Sequence, residues 1–359
     1  MTRPAVLLVS DTLVVGGLER VVVELARGLD ARGWRVGVLA GPGPLWDELP
    51  EGVARHRLPG RASVRSVRAV RRLVRARGYE LVSVHQRGVA LAARWATAGL
   101  HVPVVEHVHN VFGPTLVARA VAFRGGPLIA CGTAVAEMLV DGFGRPAGRV
   151  HLVRNGVRDP RPTGDVARRS GLRVVGVGRM TEQKDPVRFV RVVAELVGLL
   201  GADRVSAEWV GDGPLMGEVR AAVAAAGLEG VLDLPGELPA AADRIAAADL
   251  LVLTSRWEGL PLVALEALAI GRGVLLPDVG SCRDAVGSGG GALYPVDLDE
   301  RALAARIADL VAAGRIEEWQ REARGIWEAE FAFDRVVDGV ERVFAGEGVA
   351  VPAVRAVAA

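Results

Sequence analysis

One lysine stands in a loop where it could bind a phosphorylated ligand. The chain has 44 basic residues, and Lys184, in "GVGRMTEQKDP" at 176–186, is its single lysine. A lysine ammonium is a compact charge on a flexible stem, whereas a guanidinium is a rigid planar fork. With Arg179 in the same loop, Lys184 could clamp a diphosphate and follow the charge that builds on a leaving phosphate. The alternative is that the only lysine stands there by chance.

The segment "TSRWEGLPLVALEAL", at 254–268, could complete such a site. Pro261 suits the first position of a helix. The backbone N–H groups of Gly259 and Leu260 would then form an anion site at the positive end of that helix. The sequence therefore predicts an anion site at this helix start.

Two glutamates flank the predicted helix start, Glu258 before it and Glu266 near its second turn. Helical rise places them several ångströms apart along one cleft. A first-turn acid at Glu258 and a solvated Glu266 are the structural alternative. Glu266 stands in an apolar run, however, where an ionised acid needs a partner.

Around these loops the chain repeats a strand, a Gly-bearing loop and a helix. The quoted strands of the two halves are "AVLLVS", "RVGVLA", "ELVSVH", "PVVEHVHN" and "PLIACG", then "RVVGVG", "RVSAEWVG", "VLDLPGEL", "ADLLVLTS" and "GVLLPD". Short apolar strands between helices predict parallel sheets covered on both faces. Ligands of such sheets bind beyond the carboxyl ends of the strands. We predict an α/β protein of two tandem, Rossmann-like, doubly wound domains.

A chain of 359 residues exceeds what one core comfortably supports. A stretch rich in Pro, Gly and charge precedes the second series of strands and predicts the interdomain connection. We predict an amino-terminal domain at 1–160, a carboxy-terminal domain at 161–330, a helix at 331–345 that returns to the first domain, and a flexible tail at 346–359.

Composition indicates a globular protein, half hydrophobic and 24% charged. No apolar run reaches about 18 residues, so we expect no membrane span. The apolar start meets Asp11 with no small-residue cleavage site, which favours a buried strand over a signal peptide. Cys131 and Cys282 are too few for a disulfide framework or a metal site. We therefore predict a cytoplasmic protein.

Charge is unevenly distributed: residues 1–160 hold 22 arginines against 12 acids, and 161–359 hold 22 basic residues against 30 acids. Different partners for the halves, or drift on solvated faces, would explain it. Helix 63–77 is amphipathic, with a valine stripe (Val64, Val67, Val70, Val74) and an arginine stripe (Arg65, Arg68, Arg72, Arg75). It could contact an anionic membrane on the inner face, or pack its valines on the sheet. No recognition module accompanies the arginines, so we expect no nucleic acid.

Two short motifs point away from other enzyme classes. "DLD" at 297–299 could be a metal-binding Asp-x-Asp, but Asp297 with Glu300 predicts a capping box before a helix. "GVG" at 176–178 is followed by Thr181 where a dinucleotide fingerprint needs glycine, which disfavours a nicotinamide dehydrogenase.

Six segments in order resemble those of retaining glycosyltransferases of family 4, also called glycosyl transferases group 1, over roughly residues 5–345. The segments are "SDTLVVGGLERVVVELARGL", "VVEHVHN", "VHLVRNGV", "GRMTEQK", "VGDGP" and "EGLPLVALE". The resemblance implies the GT-B fold, with a cleft between an acceptor-binding first domain and a second domain that binds a nucleotide sugar. This chain departs from the family at Arg158, where aspartate is common, and at Asp284, where glutamate is usual.

The resemblance also implies roles for matched residues. Arg179 and Lys184 would bind the donor diphosphate and stabilise the leaving group, Glu266 would hold the ribose hydroxyls, and Glu258 the transferred sugar. His109 would face that sugar, with His107 its competitor, because side chains two apart on a strand share a face. The implied catalytic set is Arg179, Lys184, Glu258 and His109. The other implied donor-binding residues are Gly16, Gly17, Gly211, Gly213, Leu238, Gly259, Leu260 and Glu266.

The implied function is transfer of a sugar, with retention, from a nucleotide-diphosphate donor to an acceptor hydroxyl. UDP is the commonest nucleotide of the family, and we expect no cofactor and no essential metal. A small natural product, a polysaccharide and a lipid-linked glycan all remain open as acceptors. The alternatives are a sugar-nucleotide epimerase of the same fold and a non-catalytic protein that binds sugar nucleotides.

Overall fold

A computed structural model describes residues 3–60, 63–162, 171–238, 241–287 and 289–352. The chain forms two compact units, an amino-terminal unit of Met1–Asn155 with Phe333–Ala359 and a carboxy-terminal unit of Gly156–Ala332. The change of unit comes a few residues before the predicted boundary. Backbone hydrogen bonds account for this position. The Asn155 N–H donates to Cys131 of the amino-terminal unit, whereas the Val157 N–H donates to Phe331 of the carboxy-terminal unit.

The amino-terminal unit is built on a seven-stranded parallel sheet, with strand order β3-β2-β1-β4-β5-β6-β7. Its strands are β1 (Ala5–Ser10), β2 (Arg35–Ala40), β3 (Ala54–Arg57), β4 (Leu81–Val84), β5 (Val104–Val108), β6 (Leu128–Ala130) and β7 (Val150–Leu152). Its first helices are α1 (Gly17–Ala31), α2 (Val64–Arg77), α3 (Arg87–Thr97), α4 (Leu116–Val121) and α5 (Thr133–Glu137).

Helices cover both faces of this sheet because its central strands are apolar on both sides. β1 is buried along its whole length, and its alternate residues enter two different cores. Leu8 packs with α1 residues such as Val22 on one face, and Leu7 packs with Val70 of α2 on the other. The continuous apolar sequence of β1 thus fits its central position in the sheet, between β2 and β4.

The predicted valine stripe on α2 is partly correct. Val70 and Val74 are buried, whereas Val64, the first residue of the helix, is 65% exposed. Val64 was therefore wrongly assigned to the packed face, because it lies beside the Ser63 cap, where the helix has only begun. Contact of α2 with a membrane stays a prediction.

The carboxy-terminal unit is built on a six-stranded parallel sheet, with strand order β10-β9-β8-β11-β12-β13. Its strands are β8 (Leu172–Val177), β9 (Val205–Val210), β10 (Leu232–Gly236), β11 (Leu250–Val252), β12 (Gly273–Pro277) and β13 (Gly291–Tyr294). Its helices are α6 (Pro186–Leu200), α7 (Met216–Ala225), α8 (Ala241–Ala247), α9 (Leu262–Ile270), α10 (Cys282–Val286), α11 (Glu300–Ala312) and α12 (Arg315–Ile326). The two sheets confirm the predicted α/β fold class.

Helix α11 has a cap, but not at the residue expected. The carboxylate of Asp299 accepts the Ala302 N–H at 2.8 Å, whereas Asp297 is exposed and precedes the cap. The prediction of Asp297 as the cap was wrong because the helix begins only at Glu300, directly after Asp299. The interpretation of this segment as a helix start is confirmed.

The last helix, α13 (Phe333–Gly346), belongs to the amino-terminal unit. Part of the expected tail packs with it, since Val349 is buried in that core and its N–H donates to Phe344. Residues 353–359, the rest of that predicted tail, lie outside the described residues. Nowhere in the described ranges is a helix both long enough and apolar enough to cross a membrane.

Candidate functional site

Strand order brings the two predicted donor loops together. β8 pairs in parallel with β11, so the loop at 178–185 lies beside the loop at 253–261. The chain leaves β8 towards β9 on one side and leaves β11 towards β12 on the other. Such a reversal of direction leaves a crevice at the carboxyl ends of the two strands, which is where open α/β sheets bind ligands.

Lys184 and Glu258 meet in this crevice as an ion pair. The Lys184 Nζ donates to Oε1 of Glu258. The Glu258 side chain is only 5% exposed and that of Lys184 is 18% exposed. The sequence placed each residue at a strand end, but it did not predict that the two would contact each other.

Hydrogen bonds to the backbone hold the two loops in place. The Thr254 hydroxyl donates to the carbonyl oxygens of Lys184, at 3.1 Å, and Asp185, at 2.9 Å. The Arg256 N–H donates to the Gln183 carbonyl at 2.8 Å. Sequence reasoning missed these residues because a side chain that bonds any backbone carbonyl leaves no motif.

Asp185 joins Lys184 to helix α6. Its carboxylate accepts the Arg188 N–H at 3.2 Å as the helix cap and the Arg256 Nε at 3.0 Å. Its φ of +46° lies in the left-handed region, which is uncommon for a residue with a side chain. Asp185, the residue after the lysine, is therefore fixed both by helix α6 and by the loop at 253–261.

Two predicted donor-binding glycines shape the loop that carries Arg179. Gly211 and Gly213 both have positive φ. A Cβ on Gly211 would overlap the Gly178 carbonyl, and a Cβ on Gly213 would stand 2.5 Å from the Met180 oxygen. The two glycines thus allow close approach of the loop around the exposed Arg179. Donor binding by these three residues stays a prediction.

Gly280 packs against the backbone of Glu258. It has a φ of +51°, and a Cβ there would overlap the Glu258 carbonyl oxygen. The next residue, Ser281, donates its N–H to Gly259 at 2.8 Å. The loop after β12 therefore sets the backbone position of the predicted sugar-binding glutamate, a role that the sequence did not reveal.

Helix α9 begins one residue later than predicted. Pro261 is its extended cap, with φ −71° and ψ 117°, and Leu262 is its first residue. Gly259 and Leu260 are buried before the helix, so their N–H groups precede its first turn. Their binding of an anion stays a prediction.

The other predicted residues of this unit are in different positions. Glu266 lies on α9 and Asp284 on α10, and both are half-buried with partners of their own. Leu238 follows β10 and is half-buried. Cys282, beside Glu258, is buried, and burial raises the pKa of its thiol far above the usual value, so it stays protonated.

In the amino-terminal unit the sheet also changes direction, between β1 and β4. Gly16 is the extended cap of α1 and Gly17 its first residue, just beyond β1. The Gln86 side-chain oxygen, after β4, accepts the Asp11 N–H at 2.7 Å and the Ser10 hydroxyl at 3.1 Å. The amide thus ties together the two loops at this switch point.

Three histidines are stacked at neighbouring strand ends. The ring centroids of His107 and His109 are 6.0 Å apart, so the two share a face as predicted. His85, at the end of β4, lies 4.3 Å from the His107 ring and bonds His109 between Nδ1 and Nε2 at 3.1 Å. The sequence analysis predicted either His107 or His109 as the site histidine. In the structure both contact His85, a residue that the sequence analysis did not identify.

Burial keeps these imidazoles neutral. It lowers the pKa of His109 to about 4 and, with the neighbouring rings, places the pKa values of His85 and His107 well below the usual range. Their ligand atoms lie within 4.8 Å of one another, as in a metal site. The rings are stacked within 25° of parallel, however, whereas metal ligands converge on one point. The geometry fits a hydrogen-bonded stack better.

Both halves of the chain match known protein families. Residues 15–161 match the family described as Glycosyltransferase Family 4, and residues 171–313 match Glycosyl transferases group 1. EpsF of Bacillus subtilis strain 168, which is named as a glycosyltransferase, is 30% identical over 281 residues, 69% of this chain and 71% of EpsF. A 2-deoxystreptamine N-acetyl-D-glucosaminyltransferase of Streptomyces fradiae is 39% identical over 122 residues, 33% of this chain and 29% of that protein.

Similarity to solved structures agrees with these sequence matches. The crystal structure of Anabaena HepE in complex with UDP-glucose has a TM-score of 0.78 at 20% identity, covering 95% of this chain and 99% of HepE. The match to EpsF extends over two thirds of both chains, while the match to the Streptomyces enzyme spans less than a third of it. The chain belongs to the GT-B glycosyltransferases of family 4 and group 1, enzymes that transfer a sugar from a nucleotide-sugar donor.

Proposed function

We propose that this protein transfers a sugar from a UDP-sugar to an acceptor hydroxyl, with retention of the anomeric configuration. The observation that carries the proposal is the Lys184–Glu258 pair at the switch point of the six-stranded sheet. HepE, which has the same fold, binds UDP-glucose, and the Streptomyces relative is named for an N-acetylglucosaminyl transfer. The HepE complex supports UDP as the nucleotide, and the Streptomyces name supports a sugar transfer.

The buried pair suggests how Lys184 acts on the leaving group. If the ammonium left Glu258 altogether, a nearly buried carboxylate would stay unpaired, which is costly. An ammonium has three N–H donors, so Lys184 can keep Glu258 and donate to the diphosphate at the same time. In this proposal Arg179 supplies the second positive charge, and no metal is required for the departure of UDP.

The acceptor is the least constrained part of the proposal. The Streptomyces relative is named for transfer to 2-deoxystreptamine, an aminocyclitol. We therefore propose an aminocyclitol as the first acceptor to test, ahead of a polysaccharide or a lipid-linked glycan.

Calorimetric titration with UDP, GDP and ADP in the presence of EDTA tests the donor site. We expect UDP to bind best and the affinity to fall at least about tenfold in Lys184→Ala and Glu266→Ala, because each loses a contact to the nucleotide. Arg220→Ala, an exposed cation on α7, is the matched control and should bind normally. Absence of binding to any nucleotide, or binding that requires a metal, would contradict the proposal.

Turnover separates the remaining alternatives. With a UDP-sugar and an aminocyclitol, NMR should show a product with the donor's anomeric configuration. A donor that is epimerised without acceptor would favour the epimerase, and a donor that binds but never reacts would favour a non-catalytic protein. Lys184→Arg should fold and lose most of its activity, because the planar fork cannot serve both oxygen partners from the lysine's position.

A further inference from the structure

A depression of about 230 Å³ lies in the amino-terminal unit, away from its predicted site residues. Arg124, Arg145 and Arg149 line it together with Phe123 and Leu128. It lies where the chain enters β6 and β7, at the amino ends of these strands. The histidine stack and Gly16 follow the carboxyl ends, so the depression is at the opposite edge of the sheet.

Among the residues that the structure describes, these three arginines have no acidic partners. Across the described ranges of the chain, no carboxylate lies within the 4.0 Å ion-pair limit of Arg124, Arg145 or Arg149. Arg94, by contrast, is paired with the buried Glu106. A concave surface that gathers positive charge without compensation favours an anion.

Arg145 is held in place at the centre of this cluster. Its guanidinium donates to the Arg119 carbonyl at 2.5 Å, and its backbone N–H donates to Leu139 at 2.9 Å. Its Nε is buried, and no described residue accepts a hydrogen bond from it. Burial and the charges of Arg124 and Arg119 lower the pKa of Arg145. Arg145 thus places a fixed positive charge beside other cations at the depression, and an oxyanion would compensate that charge.

The residue before Arg124 is also held firmly. Phe123 has a φ of +56°, a conformation that costs energy for a residue with a side chain. Its buried ring contacts Phe143 edge-on, with centroids 4.9 Å apart. This anchor fixes the backbone position of Arg124 at the rim of the depression.

We propose that Arg124, Arg145 and Arg149 form a phosphate-binding pocket, separate from the donor site, which takes a phosphomonoester or phosphodiester group. Two sources of that group fit the surroundings. Helix α4, whose Arg119 holds Arg145, exposes Leu116 by 86% and Val117 by 73%. A lipid headgroup would bring acyl chains to these residues, whereas a soluble phosphorylated ligand would fill the pocket alone.

Calorimetry with inorganic phosphate at constant ionic strength tests the pocket. We expect binding by the wild-type chain and a loss of at least about tenfold in Arg124→Gln/Arg149→Gln, since both side chains are exposed and their removal should spare the fold. Arg65→Gln/Arg68→Gln on α2 removes the same charge from the same unit and should bind phosphate normally. No binding by the wild type, or an equal loss in both variants, would overturn the proposal.

Two further measurements locate the site and its source. UDP affinity should be the same in both double variants, which separates failure of this pocket from failure of the donor site. Sedimentation with phosphatidylglycerol or phosphatidylcholine vesicles then distinguishes the sources. If the protein binds phosphatidylglycerol vesicles and Arg124→Gln/Arg149→Gln abolishes that binding, the ligand of the pocket is a lipid headgroup. If the protein binds phosphate but no vesicles, the ligand is soluble. If only the α2 variant abolishes vesicle binding, and the wild type does not bind phosphate, the membrane contact is made by α2. That result would refute the pocket.

Discussion

Removal of the Lys184 ammonium should destabilise the carboxy-terminal unit more than removal of the Glu258 charge. Glu258 is 5% exposed, so Lys184→Met leaves its carboxylate buried and unpaired. Breaking a buried pair in this way costs about 3–5 kcal/mol. Lys184 is 18% exposed, and some water can reach the site, so we expect about 2–4 kcal/mol. Glu258→Gln leaves an ammonium that can turn to water, and about 1–2 kcal/mol is expected.

The double variant tests whether these costs come from the pair. Lys184→Met/Glu258→Gln leaves neither charge, and it should be less destabilised than the sum of the single variants by about 1–3 kcal/mol. Urea unfolding, fitted with separate transitions for the two units, gives the free energies. Hydrogen exchange of the β8 and β11 peptides shows that the affected transition is that of the carboxy-terminal unit.

UDP titration of the same variants separates stability from function. The double variant should lose less stability than the two single variants together and still fail to bind UDP, because the ammonium is absent. A change below about 0.5 kcal/mol in Lys184→Met would show that the pair contributes no more than an exposed one. The reasoning from burial would then be refuted, even if Lys184 proved essential for transfer.

Two further results are expected. Gly280→Ala should cost about 2–4 kcal/mol in urea unfolding, because its φ is +51° and a Cβ would overlap the Glu258 carbonyl. The same variant should bind UDP more weakly in calorimetry. Gly198→Ala, on helix α6 with open space around it, is the control and should be neutral or slightly stabilising. Because the pKa of His109 falls from 6.5 to about 4 on folding, the unfolded chain binds protons that the native chain does not, and stability should fall as the pH drops from 6.5 towards 4. His109→Gln should flatten that slope in urea midpoints, His151→Gln should not, and equal slopes would contradict the assignment.

The sequence predicted that the loop of Lys184 and the helix start after Glu258 belong to one site, but not that these two side chains touch. Lys184 follows one apolar strand and Glu258 another, and period and composition identify both strands. Their contact depends on β8 pairing with β11 rather than with β10. Strand order is decided by packing of the whole unit, which no local segment encodes. The ion pair was therefore beyond local reasoning.

Some of the residues that the sequence analysis missed could have been identified from their position in the sequence, and others could not. His85 ends the strand "ELVSVH", as His107 and His109 end theirs, so the rule that ligands meet at strand ends could have identified it. Gly280 and Thr254 act on backbone carbonyls, and such contacts leave no spacing to detect. Asp297 was predicted as the helix cap, but two aspartates precede α11. Only the folded backbone determines which of the two accepts the helix N–H.

The unpaired arginines show why net charge alone was ambiguous. The excess of arginine at 1–160 fits drift on solvated surfaces as well as an anionic partner. Most of the α2 arginines are simply exposed, whereas Arg145 is partly buried with an unsatisfied Nε. Charge indicates a ligand only where the fold limits its access to water, and burial is a property of the folded chain.

The surroundings of the single lysine are likewise set by the folded chain. An arginine could supply its charge, and the chain uses arginine everywhere else. The Lys184 stem, however, runs across Gly178, where even a Cβ would come within 3.3 Å of three of its methylene carbons. Its ammonium reaches Glu258 at the end of that confined path. A guanidinium is wider and places its donors in one plane, so an arginine there would contact Glu258 in a different geometry. The packing of the stem beside Gly178, together with the two oxygen partners of the proposed mechanism, would account for lysine at this one position.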